Sequence, residues 1–346
     1  VSGLSRVSSV NENLAVKIDK NLAQIALNEI AAIGQLDKKR KIKRKNGLVE
    51  IPVRSILSGY DIVRQERPDF YRQNLALEAR LKDFLNPHEL LLIPRSWYFL
   101  GDLIIVKIDP RLDDYKHLIG HALLSLSPRC KAVLRDFGIA GQFREPVREL
   151  LAGKGTTTVH KENGIRLKLD ASKIMFSQGN LKERQRMSRF GKGELVMDMF
   201  AGIGYFSIPM AVHSRPENII AIELNPLAYG FLKENIGLNR VDDVVEPMLG
   251  DCTKIALDIE ADRVIMGMVQ VTDRYLLRGI EALRPGGVIH YHQTIPNWLY
   301  PQAAIKQVLD AAKSRGYQTE ILDITKIKKY APGIVHIVVD ARIMKG

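Results

Sequence analysis

Cysteine is nearly absent from this chain: Cys130 and Cys252 are the only two among 346 residues. They stand far apart and form no Cys-x-x-Cys pair, which excludes a zinc-ribbon or iron–sulfur framework and fits a reducing cytoplasm. No metal is expected. No apolar run approaches the roughly 18 residues that a membrane-spanning helix needs, so no membrane partner is expected either. The opening Val1-Ser-Gly-Leu-Ser has neither an apolar h-region nor a cleavage pattern, and no secretory signal is expected. Internal repeats and low-complexity tracts are lacking. Acid is in deficit: 39 Asp and Glu against 51 Lys and Arg leave a net charge of +12. A surplus of that size favours a polyanionic partner, most economically nucleic acid, with a generally basic proteome as the alternative. Hydrophobic residues at 46% and charged residues at 26% suffice to bury a core, and the length predicts two or three domains.

What the chain does have is a strand that ends in an acid and turns on glycine: Val196-Met-Asp198-Met-Phe200-Ala-Gly202-Ile-Gly204-Tyr-Phe-Ser-Ile208. Such a turn opens a helix whose bare N–H groups can meet a nucleotide or an amino acid, although a tight turn needs glycine for positive φ whether or not anything binds. Nineteen residues beyond Gly204, the strand Asn218–Glu223 ends in a second carboxylate, a spacing that suits a ribose diol. The strand-then-helix rhythm continues through Val244 to Leu249 with Asp251, Arg263 to Gly267, and Gly287 to Tyr291. This alternation predicts an α/β fold with a doubly wound parallel sheet and a ligand at the carboxyl ends of its strands. The runs Thr319 to Thr325 and Ile334 to Ala341 leave no room for a crossover helix, so they predict a closing antiparallel hairpin. A parallel core closed in that way resembles the class I S-adenosylmethionine-dependent transferases. The first turn also lacks the third glycine of the dinucleotide fingerprint.

Three units are expected. Residues 1–90 form an N-terminal segment, a candidate tRNA-binding unit, with an amphipathic helix from Leu14 to Leu36, a short strand at Val49 to Val53 and a helix from Asn74 to Phe84. Between them Lys38 to Lys45 packs seven cations into eight residues, read as a phosphate-reaching loop or as a solvated linker. Residues 91–175 form an α+β unit with strands at Leu103 to Ile108, Thr157 to His160 and Ile165 to Leu169 and a helix from Tyr115 to Leu126. Arg129, Arg135, Arg144, Lys154 and Lys161 there are candidate phosphate contacts. Residues 176–346 form the catalytic domain, entered through Lys182 to Lys192, which adds five more cations.

At the joint stands Phe176-Ser177-Gln-Gly179-Asn180-Leu-Lys-Glu183-Arg184-Gln-Arg186. Ser177 either caps the following helix or lies over the open end of the sheet with Arg184, whose guanidinium suits a carboxylate. Asp251 either takes the adenine edge with the Cys252 backbone or caps a helix ahead of Thr253. Asp198 organises its turn rather than doing chemistry. His290 and His292 follow the fifth strand on one face, either as a proton-collecting pair or as a structural patch. Tyr205 and Phe206 are assigned to the core.

The stretch Gly155-Thr-Thr-Thr-Val159-His-Lys-Glu-Asn163-Gly164, with Asp170, is similar to the tRNA guanine-N1 methyltransferases that act on the base 3′ of the anticodon. Phe176-Ser177-Gln-Gly-Asn180-x-x-Glu183-Arg184, Ile265-Met-Gly267, Gly287-Val-Ile-His290-Tyr-His292 and Lys326-Ile-Lys-Lys-Tyr330-Ala-Pro-Gly333 resemble their relatives, the archaeal tRNA wybutosine-synthesizing aminocarboxypropyltransferases. The resemblance covers residues 91–346. It implies transfer of the 3-amino-3-carboxypropyl group of S-adenosylmethionine to 4-demethylwyosine in tRNA(Phe), releasing methylthioadenosine, with no metal and no obligate protein partner. Ser177 and Arg184 would hold the methionine end, Glu223 the ribose, and Asp251 with Cys252 the adenine. Asp198, Phe200, Gly202 and Gly204 would shape the floor. Asn180, Met266, Gly267, Arg144 and Lys154 would face the tRNA. Where the methyltransferase pattern carries an Asn-Pro-like segment, this chain has Met266-Gly267-Met268-Val269, which suits a wider, apolar pocket for a tricyclic base. Methyl transfer to guanine at the same position, and a non-catalytic RNA-binding protein, are the rival readings.

Overall fold

The computed structural model describes residues 13–37, 39–66, 68–69, 75–141, 144–255 and 260–345. Val1 to Ser5, Lys38 and Asn74, invoked above, lie outside them. The chain divides into two compact units, 1–82 and 83–346.

In the first unit, β1 (Leu14–Asp19) is followed by α1 (Ala23–Ala32), β2 (Lys43–Lys45), β3 (Leu48–Pro52), β4 (Ile62–Arg64) and α2 (Leu75–Leu81). The strands form an antiparallel sheet in the order β2-β3-β1-β4. The single helix expected from Leu14 to Leu36 is therefore a strand and a shorter helix. Asp19 breaks the run: its Oδ1 accepts the Asn21 N–H at 2.8 Å and starts a turn. Leu14 and Val16 then pack with Val49 and Ile51 of the sheet and with Ala26 and Ile30 of α1. The basic run is not wholly a phosphate-reaching loop. Arg40 is buried, bonded to Asp37, and donates to the Leu14 and Val53 carbonyls at 2.7 and 3.0 Å, while Lys39, Arg44 and Lys45 remain exposed.

The second unit opens with α3 (Pro87–Leu90), capped by Asn86, then β5 (Trp97–Leu100), β6 (Leu103–Val106), α4 (Lys116–Ser125), β7 (Ala132–Ala140) and β8 (Glu145–Gly153), a sheet in the order β5-β6-β7-β8. A two-stranded hairpin, β9 (Thr157–Glu162) and β10 (Ile165–Asp170), leads through α5 (Leu181–Met187) into the main sheet. There follow β11 (Leu195–Asp198), α6 (Ser207–His213), β12 (Asn218–Glu223), α7 (Pro226–Asn239), β13 (Val245–Leu249), α8 (Cys252–Ile255), β14 (Ala261–Met266), α9 (Leu276–Glu281), β15 (Leu283–Pro296), α10 (Gln302–Lys313), β16 (Gln318–Ala331) and β17 (Ile334–Met344).

The main sheet runs β13-β12-β11-β14-β15-β17-β16. Five parallel strands are followed by an antiparallel pair, as the missing crossover required. Strand order reverses at β11, so the carboxyl ends of β11 and β14 bound the crevice where such folds bind ligands. The segment Lys326 to Gly333, expected as a link, is mostly strand: β16 runs to Ala331. One apolar core lies under β9, β10, α6 and α7, with Leu167, Phe176, Ile208 and Leu232 fully or almost fully buried. A second, around Met266, Tyr291, Val308 and Ile337, fills the other face.

Candidate cofactor and substrate site

The chain turns sharply after β11. Asp198 is wholly buried and accepts from the Phe200 N–H at 3.3 Å and the Ser207 hydroxyl at 2.7 Å, which ties both ends of the turn together. Burial raises its pKa to about 6, against those hydrogen bonds. Gly202 and Gly204 sit at φ +59° and +98°, and a Cβ on Gly204 would stand 2.4 Å from Ile208. Glu223, at the end of β12, accepts the Gly202 N–H on one oxygen and the Asn225 N–H on the other, both at 2.7 Å. Burial raises its pKa, and the two amides oppose that shift.

These groups floor a cavity of about 560 Å³. Of the residues expected at the cofactor, Ser177, Arg184, Phe200, Gly202, Glu223, Asp251 and Cys252 line it. Asp198 and Gly204 are outside the lining and support the turn from beneath. Asp251 spends Oδ1 on the N–H and hydroxyl of Thr253, so the capping role is real even as the residue faces the cavity. Cys252 is buried and its thiol is pushed up to about 12, by desolvation and then by Asp251. Of the residues expected at the tRNA base, Asn180, Gly267 and Arg144 line the cavity; Met266 is buried in the second core, and Lys154 is exposed outside the lining.

Arg184 does not present a free guanidinium. Its Nη2 donates to Glu162 at 2.7 Å, Nε to the other Glu162 oxygen, and Nη1 to the Ser177 carbonyl at 2.9 Å. It braces the joint against the β9–β10 hairpin. Arg135, expected at phosphate, is likewise buried and paired with Asp113, and Arg186 is paired with Glu183 and Asp340; Arg129 and Lys161 are exposed.

His290 and His292 lie off the cavity, in the buried face of β15. His290 Nδ1 meets Asp340 and Nε2 meets Arg263, each at 2.6 Å, so neither nitrogen is open to a substrate. His292 meets His336 across 3.2 Å, and its Nε2 has no hydrogen-bond partner. Burial lowers both pKa values, that of His292 to about 3. The pair reads as a structural patch. The imidazole that reaches the cavity lining is His336 of β17, also held at about 3 by burial, His292 and Lys328.

Lys328, Tyr330 and Tyr275 also line the cavity, as do Tyr205 and Phe206, which pack in the first core as expected and turn one side to the cavity. Arg144 bridges the mouth, donating to Gln270 at 2.7 Å and to the Tyr330 hydroxyl at 3.0 Å. The phenol of Tyr205 donates to the Met175 carbonyl, which holds its ring at the cavity wall.

A reversed strand order, a glycine turn floored by acids and a closing antiparallel pair are together the architecture of the class I S-adenosylmethionine-dependent transferases. Residues 158–321 match the family described as the TRM5/TYW2 methyltransferase domain, residues 77–156 the TYW2 N-terminal domain, and residues 15–61 the tRNA methyltransferase 5 N-terminal domain. A Pyrococcus horikoshii protein named tRNA(Phe) (4-demethylwyosine(37)-C(7)) aminocarboxypropyltransferase is 41% identical over 274 residues, 78% of this chain and 98% of the relative. The Pyrococcus abyssi tRNA (guanine(37)-N(1))-methyltransferase Trm5b is 36% identical over 341 residues, 95% of this chain and 99% of the relative. The crystal structure of P. horikoshii TYW2 in complex with MeSAdo superposes with a TM-score of 0.70 at 40% identity, covering 78% of this chain and 98% of that one. The chain belongs to the tRNA(Phe) 4-demethylwyosine aminocarboxypropyltransferases of the TRM5/TYW2 family.

Proposed function

We propose that this chain transfers the 3-amino-3-carboxypropyl group of S-adenosylmethionine to 4-demethylwyosine at the purine 3′ of the anticodon of tRNA(Phe), releasing methylthioadenosine, in the cytoplasm that its two free thiols suit. The observation that carries this reading is the cavity edge at Gly267-Met268-Val269, which offers no side-chain amide to a guanine and an apolar wall to a larger ring. The relatives named for this reaction support it, as does the match of residues 77–156 to the TYW2 N-terminal domain.

The site fits the co-substrate. The Oδ1 of Asn180 is buried without a hydrogen-bond partner in the lining, and the Glu223 carboxylate stands fixed at the second strand end, where a ribose is bound in this kind of fold. Bound there, the sulfonium supplies an electrophilic carbon, so catalysis is largely positioning at about 3–3.5 Å. Glu223 holds the ribose diol, Asp251 through Oδ2 and the Cys252 backbone take the adenine, and Ser177 sits at the methionine end. Tyr275, Tyr330 and Phe206 exclude water around the base. The attacked carbon must give up a proton as its new bond forms. His336 in the lining accepts it through Nδ1, its Nε2 being paired with His292. With a pKa held at about 3 it is a weak base, which suffices because the proton on a freshly alkylated, cationic ring carbon is strongly acidic.

The 1–82 unit contributes affinity for the tRNA body, and 91–175 contributes to the base site through Arg144. No obligate protein partner and no metal enter this reading. The test is dual labelling: carboxyl-labelled cofactor should mark tRNA that carries the tricyclic precursor, and methyl-labelled cofactor should not. Methyl label on tRNA would establish the guanine methyltransferase instead.

A further inference from the structure

Lys328 is a half-buried cation in the cavity wall with no carboxylate within salt-bridge distance among the described residues. Its Nζ donates to Ser177 Oγ at 2.7 Å. Two features show that the fold is built to bring it there. The first is a bulge in β16. Lys326 pairs with Ile337 and Lys328 with His336, so Ile327 is an extra residue. Side chains two apart on a strand normally share a face; a bulge re-aims one of them. Lys326 accordingly reaches Asn297 and the Tyr300 ring, whereas Lys328 reaches Ser177. The second is Gly179. A Cβ there would stand 3.0 Å from Lys328 Cδ and 3.2 Å from Nζ, so the lysine side chain lies directly across the turn that carries Ser177 and Asn180.

Beside the cation stands Asn180, whose Oδ1 is buried without a partner. Arg184, the guanidinium expected to meet the cofactor's carboxylate, is committed to Glu162 and to the Ser177 carbonyl, and Arg144 is committed to Gln270 and Tyr330. We propose that Lys328 binds the α-carboxylate of the aminocarboxypropyl arm and that Asn180 Oδ1 accepts from its α-ammonium, with Ser177 orienting the lysine. An amino acid terminus needs one cationic donor and one neutral acceptor, and the cavity lining presents both, Lys328 from β16 and Asn180 from the turn laid against it. Desolvation, Arg184 and Arg144 lower the Lys328 pKa; an incoming carboxylate relieves that strain, which makes the site selective for a ligand that carries one.

The inference rests on S-adenosylmethionine as co-substrate but not on which carbon is transferred, so the labelling outcome above leaves it untouched. Calorimetry on the full chain with three probes tests it. K328M should weaken S-adenosylmethionine binding by about 10- to 100-fold, the range for a lost hydrogen bond to a charged group, and leave methylthioadenosine, which has no arm, within about twofold. K328R should recover part of the loss. Decarboxylated S-adenosylmethionine should bind the unmodified protein about as weakly as S-adenosylmethionine binds K328M, a readout that needs no variant to fold. Equal losses for S-adenosylmethionine and methylthioadenosine in K328M, or full affinity of the unmodified protein for the decarboxylated probe, would overturn the assignment.

Discussion

Arg184 has all three guanidinium nitrogens engaged, two on Glu162 and one on the Ser177 carbonyl. A lysine cannot reproduce the fork, and the carboxylate it leaves is nearly buried. R184K should therefore lose about 3 kcal/mol of stability in urea denaturation, the lower figure for breaking a buried pair. His336 belongs to a different class: it lines the cavity, and as the proposed proton acceptor its replacement in H336Q should lower single-turnover transfer to tRNA by about 100-fold while cofactor affinity holds. An unchanged rate would remove it from the proton path. The sequence made Glu223 and Asp251 legible as cavity residues because one closes and the other follows a strand end, a position that local pattern reveals, and Ser177 because it stands at the joint ahead of the first sheet strand. It could not show that Arg184 meets Glu162, since that contact depends on how the hairpin before the joint folds back. Nor did spacing separate His290, sealed between Asp340 and Arg263, from an imidazole open to the cavity.

The closing hairpin illustrates what an element adds beyond its existence. Two apolar runs without room for a crossover fixed its antiparallel sense, but the pairing register and the extra residue at Ile327 follow from contacts with β15 and β17 and leave no local mark. Deleting Ile327 should restore plain alternation with Lys328 still opposite His336 and on the face away from Lys326. The fold should then survive, by circular dichroism, with S-adenosylmethionine affinity near that of the unmodified protein; a loss to the level of K328M would mean that the extra residue itself is needed to aim the lysine. The stretch from Leu14 to Leu36 failed in the other direction. Its apolar spacing suits a helix, and the Asp19 turn, with pairing of β1 on both sides, overrides that preference.

For the whole molecule, acidity is a sensitive variable. His292 and His336 have folded pKa values of about 3 against an ordinary 6.5, so from pH 6.5 down to about 3 only the unfolded chain takes up their protons. Stability should fall with acid over that window, by about 1.4 kcal/mol per pH unit for each. Asp198 acts oppositely: its pKa of about 6 lies above the ordinary 3.8, so folding gains as pH falls between those values. Two histidines outweigh one carboxyl, and the urea midpoint should drop between pH 7.5 and 5; a constant midpoint would contradict the buried, neutral imidazoles. Residues 83–346 should retain full cofactor affinity, because the cavity is lined from Arg144 to His336, while losing tRNA affinity and part of its salt dependence with residues 1–82. Equal tRNA affinity by filter binding would show that the first unit adds nothing. The same lining has a consequence for biosynthesis. Its last wall is Lys328, Tyr330 and His336, on the two strands of this sheet that leave the ribosome after its other five, so a nascent chain has no complete binding site until the whole sheet has been made. Cofactor can stabilise only what binds it; it rewards the finished sheet and cannot guide the folding of the strands made before it.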